Sequence, residues 1–204
     1  MTKFTHKGIS DLYNSRLDSG LPDHKVVGWG SKESQDLRFK ILSDISSLDS
    51  SSILDVGCGL GDLVLFLNNN NHNVYRYHGI DISENLIDEA KNRYKNDSSV
   101  TFSHTNIDSI DNKKKYDYIF CSGCLNLKID NNLEYTKDVL TKMFEVCNKG
   151  VSCNFLSTYA DYYADKDFHH SPEEIFTFAK SLSNKITLRH NYELYEFTIY
   201  IYKD

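Results

Sequence analysis

Three glycines and two aspartates carry most of the chemical information in this 204-residue chain. They lie in Ile53-Leu54-Asp55-Val56-Gly57-Cys58-Gly59-Leu60-Gly61-Asp62-Leu63 and, further on, in Gly79-Ile80-Asp81-Ile82. A short apolar run, a glycine loop and a new apolar pattern read as strand, loop and helix. Glycine lets the backbone turn tightly and lets a ligand approach it. The start of the helix adds unpaired N–H groups. A dinucleotide would call for G-x-G-x-x-G, and the last glycine of that spacing falls on Asp62. Asp55 and Asp62 would repel a diphosphate. A cationic ligand without phosphate fits better. Asp81 stands where an acidic residue can accept both hydroxyls of a ribose, and Ile82 can pack on an adenine.

S-adenosylmethionine has that character: an ammonium, a sulfonium, an adenosine and one carboxylate. LDVGCGLG followed by GIDIS resembles the first two motifs of class I S-adenosylmethionine-dependent methyltransferases. The resemblance runs from about Lys32 to the C-terminus. It implies a cofactor site built from Asp55, Gly57, Cys58, Gly59, Gly61, Asp81 and Ile82. It also implies that Asn106, where the family usually has Asp, meets the adenine amino group through its carbonyl, with Ile107 beside the ring. YDYIFCSGCLNL resembles the family's fourth strand, so Cys121 and Ser122 are expected at the sulfonium. GWGSKESQDLRF and YELYEFTIYIYK resemble a bacterial subgroup of small stand-alone methyltransferases.

These residues need a scaffold. Apolar periodicity predicts strands at 52–56, 74–80, 100–104, 116–121, 151–156, 185–189 and 194–202. Helices are expected at 9–17, 32–46, 60–67, 84–94, 134–147 and 172–182. Ser31 and Ser83 are expected N-caps, and Pro172 suits a first helical position. Strands alternating with helices point to an α/β fold with a mostly parallel sheet covered on both faces. The last two strands lack a helix between them and read as an antiparallel pair at one edge. The resemblance implies seven strands in the Rossmann-like order 3-2-1-4-5-7-6. Residues 1–31 are expected to form a lead or lid segment, and 32–204 a single methyltransferase domain.

Composition bounds the partners. Twenty-nine acidic against 23 basic residues leave a net charge of −6, which speaks against a nucleic-acid binder. No apolar run approaches a membrane span and no secretory signal stands at the N-terminus, so a cytoplasmic protein is expected. Cys58, Cys121, Cys124, Cys147 and Cys153 have no framework spacing. Cys121-x-x-Cys124 lacks the second pair of a zinc site, so no metal is expected.

Trp29 and Arg38 precede the core. Arg38 is expected to pair with the cofactor carboxylate, and Trp29 to cover the substrate. Segment 157–170 lies where this fold often carries a substrate-covering insertion. Tyr159, Tyr162 and, near the end, Tyr195 are expected to shape the acceptor pocket. Tyr163, His169 and His170 are the expected catalytic groups, a histidine acting as general base. No Asn/Asp-Pro-Pro-Tyr/Phe tetrapeptide is present. The expected reaction is therefore methyl transfer to O or N of a small-molecule or biosynthetic-intermediate acceptor. RNA or protein as acceptor, a non-catalytic cofactor-binding subunit, and a homodimer remain open at this point.

Overall fold

Residues buried on both faces of a strand require cover on both faces of its sheet. The central strand β1 (Ser52–Val56) is buried at every position. Along it Ile53 joins one apolar cluster and Leu54 and Val56 the other. β4 (Tyr116–Ser122) alternates in the same way, Tyr118 and Phe120 to one side, Ile119 and Cys121 to the other. The computed structural model describes residues 3–203. Residues 1, 2 and 204, at the outer ends of the two expected spans, lie outside them.

The described chain forms a seven-stranded sheet in the order β3-β2-β1-β4-β5-β7-β6. The other strands are β2 (Arg76–Asp81), β3 (Val100–His104), β5 (Cys147–Leu156), β6 (Ile186–Arg189) and β7 (Glu196–Tyr202). β1 to β5 pair in parallel, and β7 runs antiparallel to both β5 and β6. Helices α3 (Lys32–Ser43), α4 (Asp62–Asn69) and α5 (Glu84–Arg93) cover one face, while α6 (Asn132–Val146) and α7 (Pro172–Leu182) cover the other. Ser31 and Ser34 form a reciprocal capping box on α3. Ser83 caps α5 through Leu86 N, and Ser171 caps α7 ahead of Pro172.

The elements stand where periodicity places them, with local differences. β5 begins at Cys147, directly after α6, rather than at 151. α4 begins at Asp62, because Gly61 takes a left-handed conformation at the cap. The lead segment is more ordered than a loop. It contains α1 (His6–Leu17) and a short α2 (Asp23–Val26). Val26 is buried with Leu60 and Leu86, and Tyr13 and Leu17 pack around them. Ser83 Oγ donates to Asn14 Oδ1 at 2.8 Å, joining α1 to the start of α5.

Packing at the antiparallel edge reaches the site. Phe155 of β5 and Phe197 of β7 are fully buried and stack with centroids 5.2 Å apart. Each such side chain contributes about 1.5–3 kcal/mol by burial. Their stacking fixes β7 against β5 and sets Glu196 opposite Leu156.

Candidate active site

In open parallel sheets ligands bind at the carboxyl ends of the strands, where the strand order reverses. Here β1 lies between β2 and β4, and the loop after β1 turns at that point. Gly57 N and Cys58 N both donate to Ile80 O, at 2.8 and 3.0 Å. This pins the loop to the end of β2. Gly57 has φ +76°, and a Cβ there would stand 2.5 Å from Cys124 Cβ. No residue with a side chain fits there without movement.

A cavity of about 310 Å³ opens above this loop. Its floor is Asp55 to Gly59, and Asp81, Ile82, Asn106 and Ile107 form one wall. Ser122, Gly123 and Cys124 form another. Tyr13, Arg16 and Trp29 reach it from the lead segment, and Asn132 and Tyr135 from α6.

The floor is acidic. Asp55 is buried and accepts a hydrogen bond from the Tyr77 hydroxyl. Burial, aided by the charges of Asp81 and Asp62 and opposed by the Tyr77 bond, pushes its pKa up to about 7. Asp81 accepts from Gly59 N at 3.0 Å and from Ser83 N at 2.9 Å, one bond on each oxygen. Burial raises its pKa, and those backbone bonds oppose the rise. Asp62 accepts from Gln35 Nε2 at 2.8 Å and is also raised by burial. Such a floor favours a cation and resists a phosphate.

Most of the expected cofactor residues meet here: Asp55, Gly57, Cys58, Gly59, Asp81, Ile82, Asn106, Ile107 and Ser122 all line the cavity. Several expectations are corrected. Gly61 stands outside the lining and instead seats Phe102 and Tyr94 against its Cα. Cys121 is turned into the core, with its Sγ 2.9 Å from Cys124 Sγ, and Cys124 takes the cavity wall. Asn106 Oδ1 accepts from Ser109 N and Ser109 Oγ, capping the single helical turn Ile107–Ser109. Both lone pairs of that carbonyl are thus taken, and no acceptor remains there for an adenine amino group. Arg38 lines the cavity, but Nε and Nη2 bind Glu196 and Nη1 donates to Ser34 O. Its Nε–Nη2 fork is therefore taken by Glu196 and not held free for a ligand carboxylate.

The expected catalytic and acceptor groups do not meet at the cavity, Trp29 excepted. His170 is buried away from it, between Phe155 and Phe168, with Nε2 3.2 Å from Leu125 O. Burial lowers its pKa to about 4. His169 Nδ1 lies 2.8 Å from Ser157 O, and its ring packs on Tyr163 at 4.0 Å. The Tyr163 hydroxyl donates to Thr158 O and that of Tyr159 to Glu173. Tyr159, Tyr162, Tyr163 and Tyr195 are exposed. From this loop Lys166 and Asp167 reach the cavity instead. Sequence reasoning also missed Tyr13, Arg16, Asn132, Tyr135 and Glu196. Their local patterns are those of ordinary helix and strand residues, and only the fold brings them together. With neither histidine at the site, His169→Ala is expected to keep turnover within twofold. His170→Ala is expected to lose about 1–3 kcal/mol of stability with turnover per folded molecule unchanged. Melting curves beside a label-incorporation assay check both.

Residues 53–150 match the family model described as a methyltransferase domain. Residues 53–150 thus carry a methyltransferase domain, and the chain has the fold of class I S-adenosylmethionine-dependent methyltransferases. It is 29% identical over 169 residues to methyltransferase Rv1506c of Mycobacterium tuberculosis, covering 78% of this chain and 97% of that one. It is 28% identical over 127 residues to phosphoethanolamine N-methyltransferase of Plasmodium falciparum, covering 61% of this chain and 44% of that protein. The fold matches magnesium protoporphyrin IX methyltransferase of Synechocystis PCC 6803, crystallised with S-adenosylmethionine. The TM-score is 0.69 at 16% identity, over 100% of both chains. It also matches the N-methyltransferase NodS of Bradyrhizobium japonicum WM9, at TM-score 0.66 and 15% identity, over 94% and 97% of the two chains.

The cofactor of such a methyltransferase is S-adenosylmethionine. The residues present fit it. The acidic floor suits its ammonium, and each Asp81 oxygen has acceptor capacity beyond its one backbone bond. The glycine loop leaves room for a ligand against the backbone. Among the described residues no helix is long and apolar enough to cross a membrane.

Proposed function

We propose that this methyltransferase acts on an oxygen or nitrogen atom of a small-molecule acceptor. The observation that carries this is the roof. α1 and the segment around Trp29 reach over the cavity and leave about 310 Å³, a volume suited to small ligands. The names of two similar proteins carry small-molecule acceptors, phosphoethanolamine and magnesium protoporphyrin IX, and support this class.

In this reading Asp81 holds the ribose, Asp55 faces the ammonium, and Ile82 and Ile107 flank the adenine. When bound, the cofactor supplies an electrophilic methyl group. The protein's contribution is then to orient the acceptor and exclude water. Tyr13 suits orientation. Burial pushes its phenol pKa up to about 12, so it keeps its proton and is able to donate a hydrogen bond to an acceptor. His6, packed against Tyr135 at 5.5 Å, is the imidazole that lines the cavity. In this reading it, rather than His169 or His170, is the candidate base for an acceptor that must lose a proton.

Purified protein, isotope-labelled S-adenosylmethionine and fractionated cell extract provide the test. Label in one small metabolite is the expected result and names the acceptor. Label confined to RNA or protein overturns the acceptor class and leaves the cofactor site standing.

A further inference from the structure

Trp29 and Arg38, on either side of the start of α3, and the distant Glu196 form one stack at the roof. The guanidinium of Arg38 lies 4.2 Å from the Trp29 ring centroid. Its Nε donates to Glu196 Oε1 and Oε2 at 2.9 and 3.0 Å, and Nη2 closes the fork on Oε1. Glu196 is 1% exposed and Arg38 8%. The six-membered ring of Trp29 also meets the loop after β4. A Cβ on Gly123, at φ +75°, would stand 2.2 Å from Trp29 Cη2. Gly123 is itself held, its N–H donating to Asn154 Oδ1 at 2.9 Å. All three stack residues and Gly123 line the cavity.

A buried ion pair gives little net stability, because desolvation offsets most of the attraction. It does fix geometry, and Arg does so better than Lys because its fork is planar and stacks flat on an aromatic ring. Glu196 is anchored by the β5–β7 pairing. Arg38 is therefore aimed by the sheet, and Trp29 is aimed by Arg38.

We propose that Glu196 and Arg38 are positioning residues that hold Trp29 against Gly123 as the wall of the acceptor subsite. The proposal rests on the methyl-transfer reading above, since it places that subsite beside the end of β4, where the methyl donor is expected. It also gives Arg38 a role other than binding the cofactor.

Trp29 is the only tryptophan, so its fluorescence has a single source. Acrylamide quenching is measured at low temperature on the wild type, Glu196→Gln, Arg38→Lys and the double variant R38M/E196Q. Arg38→Lys keeps both charges but cannot fork or stack flat. The double variant removes both charges and leaves no orphan charge if Glu196→Gln alone fails to fold. Expected is at least a twofold rise in the quenching constant in each folded variant. In the wild type, S-adenosylhomocysteine should lower the constant. A fall in melting temperature with unchanged quenching would show a merely structural ion pair and overturn the proposal. Calorimetry with S-adenosylhomocysteine separates the two readings. If the wild type does not bind it, the cofactor site is misassigned, while quenching of the free proteins still decides the stack.

Discussion

Asp81→Ala is expected to lower affinity for S-adenosylhomocysteine roughly 100-fold, since two hydrogen bonds to a charged carboxylate contribute about 3 kcal/mol together. Each Asp81 oxygen already accepts one backbone N–H, from Gly59 and from Ser83. Those bonds aim the remaining lone pairs toward the cavity that Asp81 lines. A ribose diol presents two donors at matching spacing. The alanine variant also frees Gly59 N, so some loss will come from a looser glycine loop. Asp81→Asn separates these effects. It keeps one acceptor oxygen and should fall between wild type and alanine. Ser83 still caps α5 through its own hydroxyl, so both variants should fold. Isothermal titration with S-adenosylhomocysteine, alongside melting curves, reads the result. An affinity for the alanine variant within threefold of wild type would remove Asp81 from the ribose site.

Local pattern determined what was legible beforehand. Strand, glycine loop and helix follow one another within eleven residues, and the acidic end of β2 lies on the next strand. Local pattern therefore singled out Asp55, Gly57, Gly59 and Asp81, which the fold brings to one cavity. Alternating burial on β1 and β4 likewise showed in their apolar runs. The sequence was less informative where the third dimension decides. Arg38 and Glu196 are 158 positions apart, and neither position announces the other. The tyrosines and histidines of 157–170 look like a binding cluster in one dimension. In the fold, Tyr159, Tyr163, His169 and His170 Nε2 bond to Glu173, Thr158 O, Ser157 O and Leu125 O rather than facing the cavity. Asn106 shows the same limit at shorter range, because a one-turn helix claims the carbonyl that an adenine would need. Residue type suggested function in each case, and partner availability settled it.

Partner availability also sets the pH response. Asp55 sits at about 7 in the free protein because burial disfavours its charge. Its unfolded value is near 3.8. The folded pKa is the higher one, so between about 4 and 7 the folded state binds more protons than the unfolded state. Asp55 thus favours folding most at low pH, and this contribution is lost as pH rises toward 7. A ligand ammonium beside it reverses the preference and favours the carboxylate. Binding below pH 7 must then expel a proton. The expected affinity for S-adenosylhomocysteine is level above pH 7 and falls roughly tenfold per unit below it, to about 100-fold at pH 5. Calorimetry in two buffers of different ionisation enthalpy counts the proton directly, approaching one near pH 6 and none at pH 8. Asp81 and Asp62 are raised in the same direction, so Asp55→Asn identifies the source. It should bind more weakly than wild type at pH 8 and lose most of the slope between pH 5 and 7. A slope that persists in that variant would move the titrating group to Asp81 or Asp62. A flat profile in the wild type would mean that the ammonium does not face Asp55.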